Sequence, residues 1–318
     1  MIDSFGRKIN YLRISLTDRC NLRCKYCMPK GGITHIISHD EILSLEEVYE
    51  LIESFVELGI DKIRFTGGEP LVRKNILELI KKTSKLKGIK DISLTTNGQL
   101  LKGMAKDLKE AGLNRVNISL DTLNPDKFTE ITRGGNLNSV LEAIEEAIKV
   151  GLTPIKINTV LMGGFNENEI RDLVELTKRG IDVRFIELMP IGEAVGFAKD
   201  KFISNDIILK TISELQTVER EDISSPATYY KLPGASGKVG IINPISCKFC
   251  GNCNRIRLTS TGQLKLCLHS NREIDLKSAL RNKEDIKQII KDSILTKEES
   301  HHLEDEEYTS RNMNQIGG

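Results

Sequence analysis

The chain has 318 residues, of which 39% are hydrophobic and 29% are charged, and its formal net charge is +1. This composition is ordinary for a globular protein of one large or two smaller domains, and the near-zero charge does not favour nucleic-acid binding. Residues 1–10 lack the apolar core of a signal peptide, and no apolar run reaches membrane-spanning length. We therefore expect a cytoplasmic protein with no membrane partner.

A regular alternation of strand and helix patterns runs from residue 11 to about 190. Strand-like segments are predicted at 11–16, 61–66, 90–96, 114–120, 153–160 and 181–188, with amphipathic helices between them. The helix predicted over 45–58 begins with Ser44 and Glu47 in capping-box spacing. Six β/α units with short connections imply a parallel sheet, and a closed TIM barrel needs eight. The prediction is an α/β fold, a partial (β/α)6 TIM-type barrel.

The predicted strands alternate apolar and polar residues, so one face should pack on helices and the other should line the barrel interior. The interior would then carry five cations: Arg13, Lys62, Arg64, Lys156 and Arg184. Unpaired charges in a dry interior are costly, which predicts an open lumen that binds an anionic ligand. The alternative is an antiparallel sheet with one wet face, against which the βαβ rhythm argues.

Seven cysteines form two clusters, 20–27 and 247–267. Cys20, Cys24 and Cys27 follow the first strand in a C-x3-C-x2-C pattern. Three thiolates can hold three irons of a four-iron cluster and leave one iron open. This spacing fits a structural zinc site poorly, because only His35 or His39 could supply a fourth ligand nearby.

The second cysteine cluster is more ambiguous. Cys247, Cys250, Cys253 and Cys267 could form a four-thiolate zinc knuckle or a fully ligated iron–sulfur cluster, and spacing alone leaves both open. The interpretation as buried reduced thiols is disfavoured, because scattered structural cysteines would not fall into two groups.

A Thr66-Gly67-Gly68-Glu69-Pro70 segment follows the second predicted strand. Active sites of β/α barrels collect at the carboxyl ends of the strands, where the first cysteine cluster also lies. Because a double glycine lets backbone approach a ligand closely, we interpret this segment as a ligand clamp.

The strand–helix rhythm stops near residue 195. We predict a barrel domain over 1–195 and a smaller α+β C-terminal region over 196–318. The latter should contain a helix at 205–214, strands near 228–232 and 238–242, a hairpin turn at Thr261-Gly262 and a helix over 275–292. The charged segment 297–312 is expected to be mobile.

The cysteine pattern followed by Gly67-Gly68-Glu69-Pro70 resembles the radical S-adenosylmethionine superfamily. The resemblance narrows to the GTP 3′,8-cyclase family of molybdenum cofactor biosynthesis and covers essentially the whole chain. It is carried by segments 12–15, 62–70, 94–98 and 249–257 and by the terminal Ile316-Gly317-Gly318.

This resemblance implies a lyase that converts GTP to 3′,8-cyclo-7,8-dihydroguanosine 5′-triphosphate, an early step toward molybdopterin. It implies two [4Fe-4S] clusters, the first binding S-adenosylmethionine and the second, through its own open iron, binding the guanine edge. A 5′-deoxyadenosyl radical would take hydrogen from C3′ of GTP. A reducing electron donor is a further partner, a homodimer is allowed, and cyclic pyranopterin monophosphate synthase is a pathway neighbour.

The resemblance also implies roles for individual residues, at the positions of this sequence that match the family's motifs. The iron ligands would be Cys20, Cys24, Cys27, Cys250, Cys253 and Cys267. The S-adenosylmethionine contacts would be Tyr26, Gly68, Ser119 and Met189. The GTP contacts would be Arg13, Lys62, Arg64, Thr95, Lys156, Arg184, Arg255 and Arg257. The catalytic set would be Arg255, Arg257, Gly317 and Gly318, with the Gly-Gly end inserted into the active site. Cys247 lies outside the family motif and is expected not to ligate.

The residues alone leave two other functions open. A peptide-modifying radical S-adenosylmethionine maturase would share the cysteine motifs, but a peptide-binding element is not evident and the basic lumen suits a triphosphate. A metal-stabilised binding or sensing module would hold zinc and would not need the segment at 66–70.

Overall fold

A computed structural model describes residues 1–32, 38, 40–192, 194–301, 303 and 308–317. Three residues that carried predictions, His35, His39 and Gly318, lie outside this described part of the chain.

A parallel sheet of six strands forms the centre of the fold, and its strands pair in chain order. The strands are β1 (Tyr11–Ser15), β2 (Lys62–Thr66), β3 (Asp91–Thr96), β4 (Arg115–Ser119), β5 (Lys156–Leu161) and β6 (Asp182–Glu187). Each lies within or one residue beyond its predicted segment. The six β/α units and the parallel sheet are therefore confirmed.

The C-terminal region adds strands to both edges of this same sheet. They are β7 (Gln216–Thr217), β8 (Thr228–Lys231), β9 (Val239–Ile242), β10 (Arg255–Leu258), β11 (Gln263–Lys265) and β12 (Ile274–Asp275). β10 pairs in parallel with β1, and β9 pairs in parallel with β6. The remaining outer pairs are antiparallel. The sheet thus continues across the predicted boundary at residue 195, which stays a prediction.

The described helices lie mostly on the outer face of the sheet, while the last of them belongs to the C-terminal tail. They are α1 (Leu45–Glu57), α2 (Ile76–Thr83), α3 (Leu101–Glu110), α4 (Pro125–Thr132), α5 (Leu137–Lys149), α6 (Ile170–Glu175), α7 (Ala194–Lys201), α8 (Asp206–Thr211), α9 (Leu276–Arg281), α10 (Ile286–Leu295) and α11 (Met313–Ile316). The predicted capping box at Ser44 and Glu47 is present. Among the described residues, no helix combines the length and apolar character that a bilayer crossing requires.

Strand parity sorts the side chains as predicted. Ile63 and Phe65 of β2 are fully buried in the layer between sheet and helices, where they join Phe55 of α1. Arg64 points to the other face, and its neighbours in register are Arg13 of β1 and Ser93 of β3. The apolar faces thereby form the core, and the polar faces line a lumen.

The helix predicted over 275–292 is wrong as a single helix. The chain forms α9 and α10 instead, separated by Lys283 in the left-handed region at φ 60°. Asp285 starts the second helix, because its side chain accepts from the backbone N–H of Gln288. A cap within a polar stretch interrupts a helical pattern that apolar periodicity alone would continue.

The prediction that segment 297–312 is mobile is also wrong for its described part. Lys297 is buried, and its ammonium donates to the carbonyl oxygen of Leu266. His301 is buried with Nε2 at 3.0 Å from the carbonyl oxygen of Pro244. Arg311 forms a two-pronged ion pair with Glu273 at 2.5 and 2.6 Å. The charges of Lys297 and Arg311 serve internal contacts, which composition could not reveal.

Arg7 fastens this segment to the second cysteine cluster. Its guanidinium donates to the backbone carbonyls of Cys250, Glu298 and Glu299 at 2.6 to 2.9 Å. It also pairs with the buried Asp3 carboxylate at 2.6 Å. One buried cation therefore satisfies a carboxylate and several carbonyl oxygens at once.

Replacing Arg7 with Met should lower the free energy of unfolding by about 3 to 5 kcal/mol, because the buried Asp3 carboxylate loses its counter-charge. Chemical denaturation of the variant measures this loss. Lys8→Met is the matched control, since Lys8 is exposed and should cost less than about 0.5 kcal/mol. Equal stability of the two variants would contradict the role given to Arg7.

Candidate active site

The lumen contains a layer of three arginines. Arg13 of β1 is in register with Arg64 of β2 on one side and with Arg257 of β10 on the other. Burial lowers the pKa of Arg64 and that of Arg257 to about 10, and burial with the charges of both neighbours lowers the pKa of Arg13 strongly. A layer of buried like charges is an environment that favours an anionic ligand.

A second layer lies at the amino-terminal end of the strands. The Tyr11 ring is flanked by the guanidinium carbons of Arg64 at 5.4 Å and Arg255 at 5.8 Å. Lys62, the register partner of Tyr11, belongs to this layer, and Lys156 is the first residue of β5. Arg255 leads into the second cysteine cluster, and its Nη1 has no hydrogen-bond partner among the described residues.

Two of the five lumen cations have carboxylate partners within the protein. The Lys62 ammonium lies 3.6 Å from Asp222, and the Lys156 ammonium lies 3.1 Å from Asp182. Arg184 donates to the Asn117 side chain at 2.8 Å. Strand parity places Asp182 on the polar face of β6 beside Lys156, but it could not find Asp222, which comes from the irregular segment before β8.

Further hydrogen-bonding capacity in the lumen is unused within the described part of the chain. Thr95 Oγ1, Asn158 Oδ1 and Arg184 Nε are buried without a hydrogen-bond partner there. Buried polar groups normally find partners, so these atoms are suited to a polar ligand.

The first cysteine cluster lies in the loop that follows β1. Two backbone hydrogen bonds fasten the loop to the end of α4, from Arg23 to Thr132 and from Lys25 to Ile131. Burial raises the pKa of the Cys20 thiol to about 11 and that of Cys27 to about 12. The other thiols of the loop add to the shift at Cys27 and at Cys24, so the three lie within electrostatic reach of one another.

The double glycine packs against the cysteine loop itself. The N–H of Gly68 donates to the carbonyl oxygen of Thr17 at 2.7 Å, and that of Glu69 donates to Arg19 at 2.8 Å. A Cβ atom on Gly67, whose φ is +150°, would lie 2.5 Å from the Thr17 carbonyl oxygen. The close approach predicted for a ligand is therefore made by the loop backbone, and a ligand contact at Gly68 remains a prediction.

Glu69 joins three parts of the mouth. Its buried carboxylate accepts from the Leu71 N–H, the Thr96 hydroxyl and the Asn97 N–H at 2.8 to 3.0 Å. Asn97 in turn places its amide 3.7 Å from Cys20 Sγ. The segment after β2 and the end of β3 thus both support the cysteine loop.

Burial raises the pKa of Glu69 to about 7 despite its donors, so folding binds a proton at this group between about pH 5 and pH 7. We expect the melting temperature of cluster-free protein to fall as the pH rises through this window. The Glu69→Gln variant should be less stable, and its melting temperature should change less across this pH window, because a glutamine side chain does not titrate. Thermal melts at several pH values test this, with exposed Glu78→Gln as control. Equal slopes in all three proteins would contradict it.

Tyr26 is held by a buried carboxylate. Its hydroxyl donates to Asp121 at 2.6 Å, and Asp121 also accepts from the Val160 N–H at 2.9 Å. Burial raises the pKa of Asp121 to about 6. The ring packs beside the apolar cluster that includes Met162 and Leu188. The predicted ligands Ser119 and Met189 lie at or just after the carboxyl ends of β4 and β6, at this same mouth.

The second cysteine cluster lies at the opposite end of the lumen. Cys253 precedes Arg255, the first residue of β10, and the N–H of Cys253 donates to the Cys250 carbonyl at 3.0 Å. Cys267 lies two residues beyond Lys265, the register partner of Arg257 in an antiparallel pair. Both therefore lie at the amino-terminal end of β10. The hairpin turn at Thr261-Gly262 is confirmed.

The thiols of the second cluster influence one another's pKa, and two nearby cations act on the pKa of Cys253. Burial raises the pKa of Cys250, and the Cys267 and Cys253 thiols raise it further. Burial also acts to raise the pKa of Cys253, but the charges of Lys297 and Arg255 outweigh it and the pKa is lowered. Within the described residues, no three His, Cys, Asp or Glu side chains are placed to hold a single metal ion. The all-sulfur donor set is the chemistry of iron–sulfur clusters.

The C-terminal tail enters the lumen mouth. Asn314 of α11 donates through its amide to the carbonyl oxygen of Asp18 at 2.9 Å. Arg257 donates to the carbonyl oxygen of Gly317. A Cβ atom on Gly317, whose φ is +86°, would lie 2.6 Å from Thr66 Cγ2. The tail therefore reaches the carboxyl ends of the central strands, between the two cysteine clusters.

Comparison with known proteins agrees with this geometry. Residues 14–177 match the radical SAM superfamily, and residues 181–303 match the family described as Molybdenum Cofactor Synthesis C. The chain is 61% identical over 321 residues to the GTP 3′,8-cyclase of Peptoclostridium acidaminophilum, covering 100% of this chain and 98% of that one. It is 57% identical to the GTP 3′,8-cyclase of Alkaliphilus oremlandii, with both chains covered completely.

The chain belongs to the GTP 3′,8-cyclase family within the radical SAM superfamily. The fold agrees with a solved structure of Streptococcus suis SuiB bound to S-adenosylmethionine, at a TM-score of 0.65 and 16% identity, over 97% of this chain and 78% of that one. Membership in the GTP 3′,8-cyclase family decides between zinc and iron–sulfur chemistry. The cofactors are two [4Fe-4S] clusters and S-adenosylmethionine.

Several residues of the GTP 3′,8-cyclase site were not predicted. Glu69 enters the sequence prediction only as part of the segment 66–70, and its role as a buried acceptor has no separate signal. Asp121 continues the polar parity of β4 two residues beyond the end of that strand, and this parity is the available signal for it. Arg7 and Lys297 carry no local signal, because their partners are backbone carbonyls far away in sequence.

Cys247 lies apart from the second cluster. It is exposed, and it lines an outer groove of about 290 Å³ together with Arg220, Pro226 and Phe249. Its thiol is not among the groups that shift the pKa of Cys250. This placement agrees with the prediction that three cysteines, not four, hold the second cluster.

Cys247→Ser should therefore leave iron content and cyclisation largely unchanged. Cys250→Ser is the matched control and should lose the second cluster, about four of about eight irons. Iron and sulfide analysis of anaerobically prepared protein measures both variants. A loss of four irons from the Cys247 variant would show that it ligates.

Proposed function

We propose that this protein converts GTP to 3′,8-cyclo-7,8-dihydroguanosine 5′-triphosphate, an early step of molybdenum cofactor biosynthesis. The observation that carries the proposal is a cationic lumen with a three-cysteine set at each end, in a chain matched along its whole length by enzymes named GTP 3′,8-cyclase. The lumen supplies charges for a triphosphate, and the two ends supply separate places for two clusters.

S-adenosylmethionine binds at the carboxyl-terminal mouth in this proposal. Gly68 and Ser119 contact it, Tyr26 packs near its adenine, and Met189 borders it. The hydrogen bond from Tyr26 to Asp121 supports the placement, because it fixes the ring at the edge of the mouth. Cys20, Cys24 and Cys27 would hold the first [4Fe-4S] cluster, which would supply an open iron for S-adenosylmethionine.

GTP occupies the lumen between the two clusters. Its contacts are Arg13, Lys62, Arg64, Thr95, Lys156, Arg184, Arg255 and Arg257. The triphosphate displaces the lysines from Asp222 and Asp182, since phosphate oxygens accept more charged hydrogen bonds than one carboxylate. The guanine edge faces the cluster held by Cys250, Cys253 and Cys267.

When bound and reduced, the first cluster and S-adenosylmethionine supply the radical that removes hydrogen from C3′ of GTP. The chain orients C3′ toward the mouth by fixing the triphosphate at the far end of the lumen. Arg257, with Gly317 of the tail, closes the space between the two clusters and excludes water from the ribose. Arg255 and Arg257 also balance the charge of the nucleotide beside the second cluster.

The same proposal includes a cytoplasmic location, an external reducing electron donor and, as one assembly, a homodimer. The product would pass to the cyclic pyranopterin monophosphate synthase that follows in the pathway.

The proposal is tested with anaerobically prepared protein, S-adenosylmethionine and dithionite. Addition of GTP should give the cyclised triphosphate, identified by mass spectrometry, and addition of ATP should not. A protein that cleaves S-adenosylmethionine but leaves GTP unchanged would contradict the proposal and favour another substrate for the lumen.

A further inference from the structure

A basic groove lies outside the lumen, beside the first cysteine loop. It has a volume of about 500 Å³ and runs between the start of α1 and the start of α2. Thr17 and Arg19, which lead directly into Cys20, form one end of it. The groove therefore touches the same loop that supplies the iron ligands, but from outside.

The groove carries more positive charge than the chain as a whole. Four cations line it, Arg19, Arg73, Lys74 and Lys82, against two carboxylates, Glu46 and Glu78. This surplus of two positive charges exceeds the net charge of +1 for the entire protein. The groove is thus a local positive field on a nearly neutral molecule.

The carboxylates of the groove compensate its cations only in part, and Glu46 is the one that acts on Arg73 and Lys82. Arg19, Arg73 and Lys74 form no ion pair with any described residue, and Arg19, Lys74 and Lys82 are exposed. Burial lowers the pKa of Arg73 and the charge of Arg19 lowers it further, while Glu46 acts in the opposite direction with a smaller effect, so the two guanidinium groups lie close enough to repel each other. An acidic surface laid over them would relieve this repulsion.

The cysteine loop makes different contacts on its two faces. Toward the lumen, Asn314 of the tail bonds to Asp18 and covers the loop. Away from the lumen, Arg19 points to the groove and to solvent. A macromolecule in the groove can approach the first cluster without displacing the tail, the nucleotide or S-adenosylmethionine.

We propose that this groove is the docking surface for an acidic electron-carrier protein that reduces the first cluster. The inference rests on the proposed function, which requires a reductant. The carrier is a small protein with a low-potential flavin or iron–sulfur group, and in each transfer it loses one electron and the cluster gains one. Charge complementarity selects an acidic partner, and the position beside Cys20 selects a redox partner.

The test uses the holoenzyme and reduced flavodoxin, a small acidic flavoprotein, as the probe. The groove variant is Lys74→Glu with Lys82→Glu. The matched control is Lys81→Glu with Lys85→Glu, which makes the same change of charge at exposed positions outside the groove. Two measurements are made: the binding of oxidised flavodoxin by calorimetry, and the rate of cluster reduction by absorbance.

We expect the groove variant to bind flavodoxin about tenfold or more weakly and to be reduced correspondingly more slowly, with less dependence on salt. The control should behave as the unmodified protein, and dithionite should reduce all three equally. Equal binding and reduction of the groove and control variants would overturn the proposal. Neither measurement uses GTP, so failure of the cyclase assignment would appear separately, as unchanged GTP in the dithionite assay.

Discussion

Removal of Gly317 and Gly318 is expected to abolish GTP cyclisation while both clusters still assemble. The Gly317 carbonyl accepts from Arg257, and a Cβ atom on Gly317 would meet Thr66 and Ser15 at the lumen mouth. Truncation would free the Arg257 guanidinium and open the space between the clusters to water. The cysteine loops are held by Arg7, Arg23 and Lys25, none of which depends on the last two residues.

A milder variant separates geometry from chain length. Gly317→Ala should lower turnover by about tenfold to a hundredfold, because a side chain at φ +86° costs about 1 to 3 kcal/mol and meets Thr66. Gly103→Ala is the control, since the space around Gly103 is open and no loss is expected. Turnover and iron content measure both. Full activity of the truncated protein would contradict insertion of the tail.

The two clusters should be separable by single cysteine variants. Cys24→Ala should abolish cleavage of S-adenosylmethionine, because it removes one of three ligands from the open cluster. Cys253→Ala should keep that cleavage but abolish cyclisation, since GTP loses its contact at the far end of the lumen. Each variant should retain about four of about eight irons. The measurements are iron analysis, 5′-deoxyadenosine formation and GTP conversion.

The outcome would be informative in either direction. If Cys253→Ala still cyclised GTP at the unmodified rate, the second set would be structural and the lumen would bind GTP through its arginines alone. If Cys24→Ala still cleaved S-adenosylmethionine, the assignment of the first set would be wrong.

Much of the lumen followed from strand parity. Arg13, Arg64 and Arg184 were located by a period of two, because side chains of a strand must alternate between faces. The cysteine loop was placed at the carboxyl-terminal mouth by its position after β1. These predictions depended only on local sequence and on the handedness of β/α units, and the structure confirms them.

Other features depended on contacts between distant residues. The parallel pairing of β10 with β1 joins segments about 240 residues apart, and no local pattern specifies it. Asp222, the partner of Lys62, and the carbonyls bound by Arg7 are likewise distant in sequence. A polar side chain signals that it needs a partner, but the fold decides which one.

Isotope transfer tests the central claim most directly. The holoenzyme would be incubated with S-adenosylmethionine, dithionite and GTP deuterated at C3′, and the 5′-deoxyadenosine would be analysed by mass spectrometry. The geometry proposed for the lumen predicts one deuterium in 5′-deoxyadenosine, formed together with the cyclised triphosphate. Deuterium-free 5′-deoxyadenosine with unconverted GTP would contradict it.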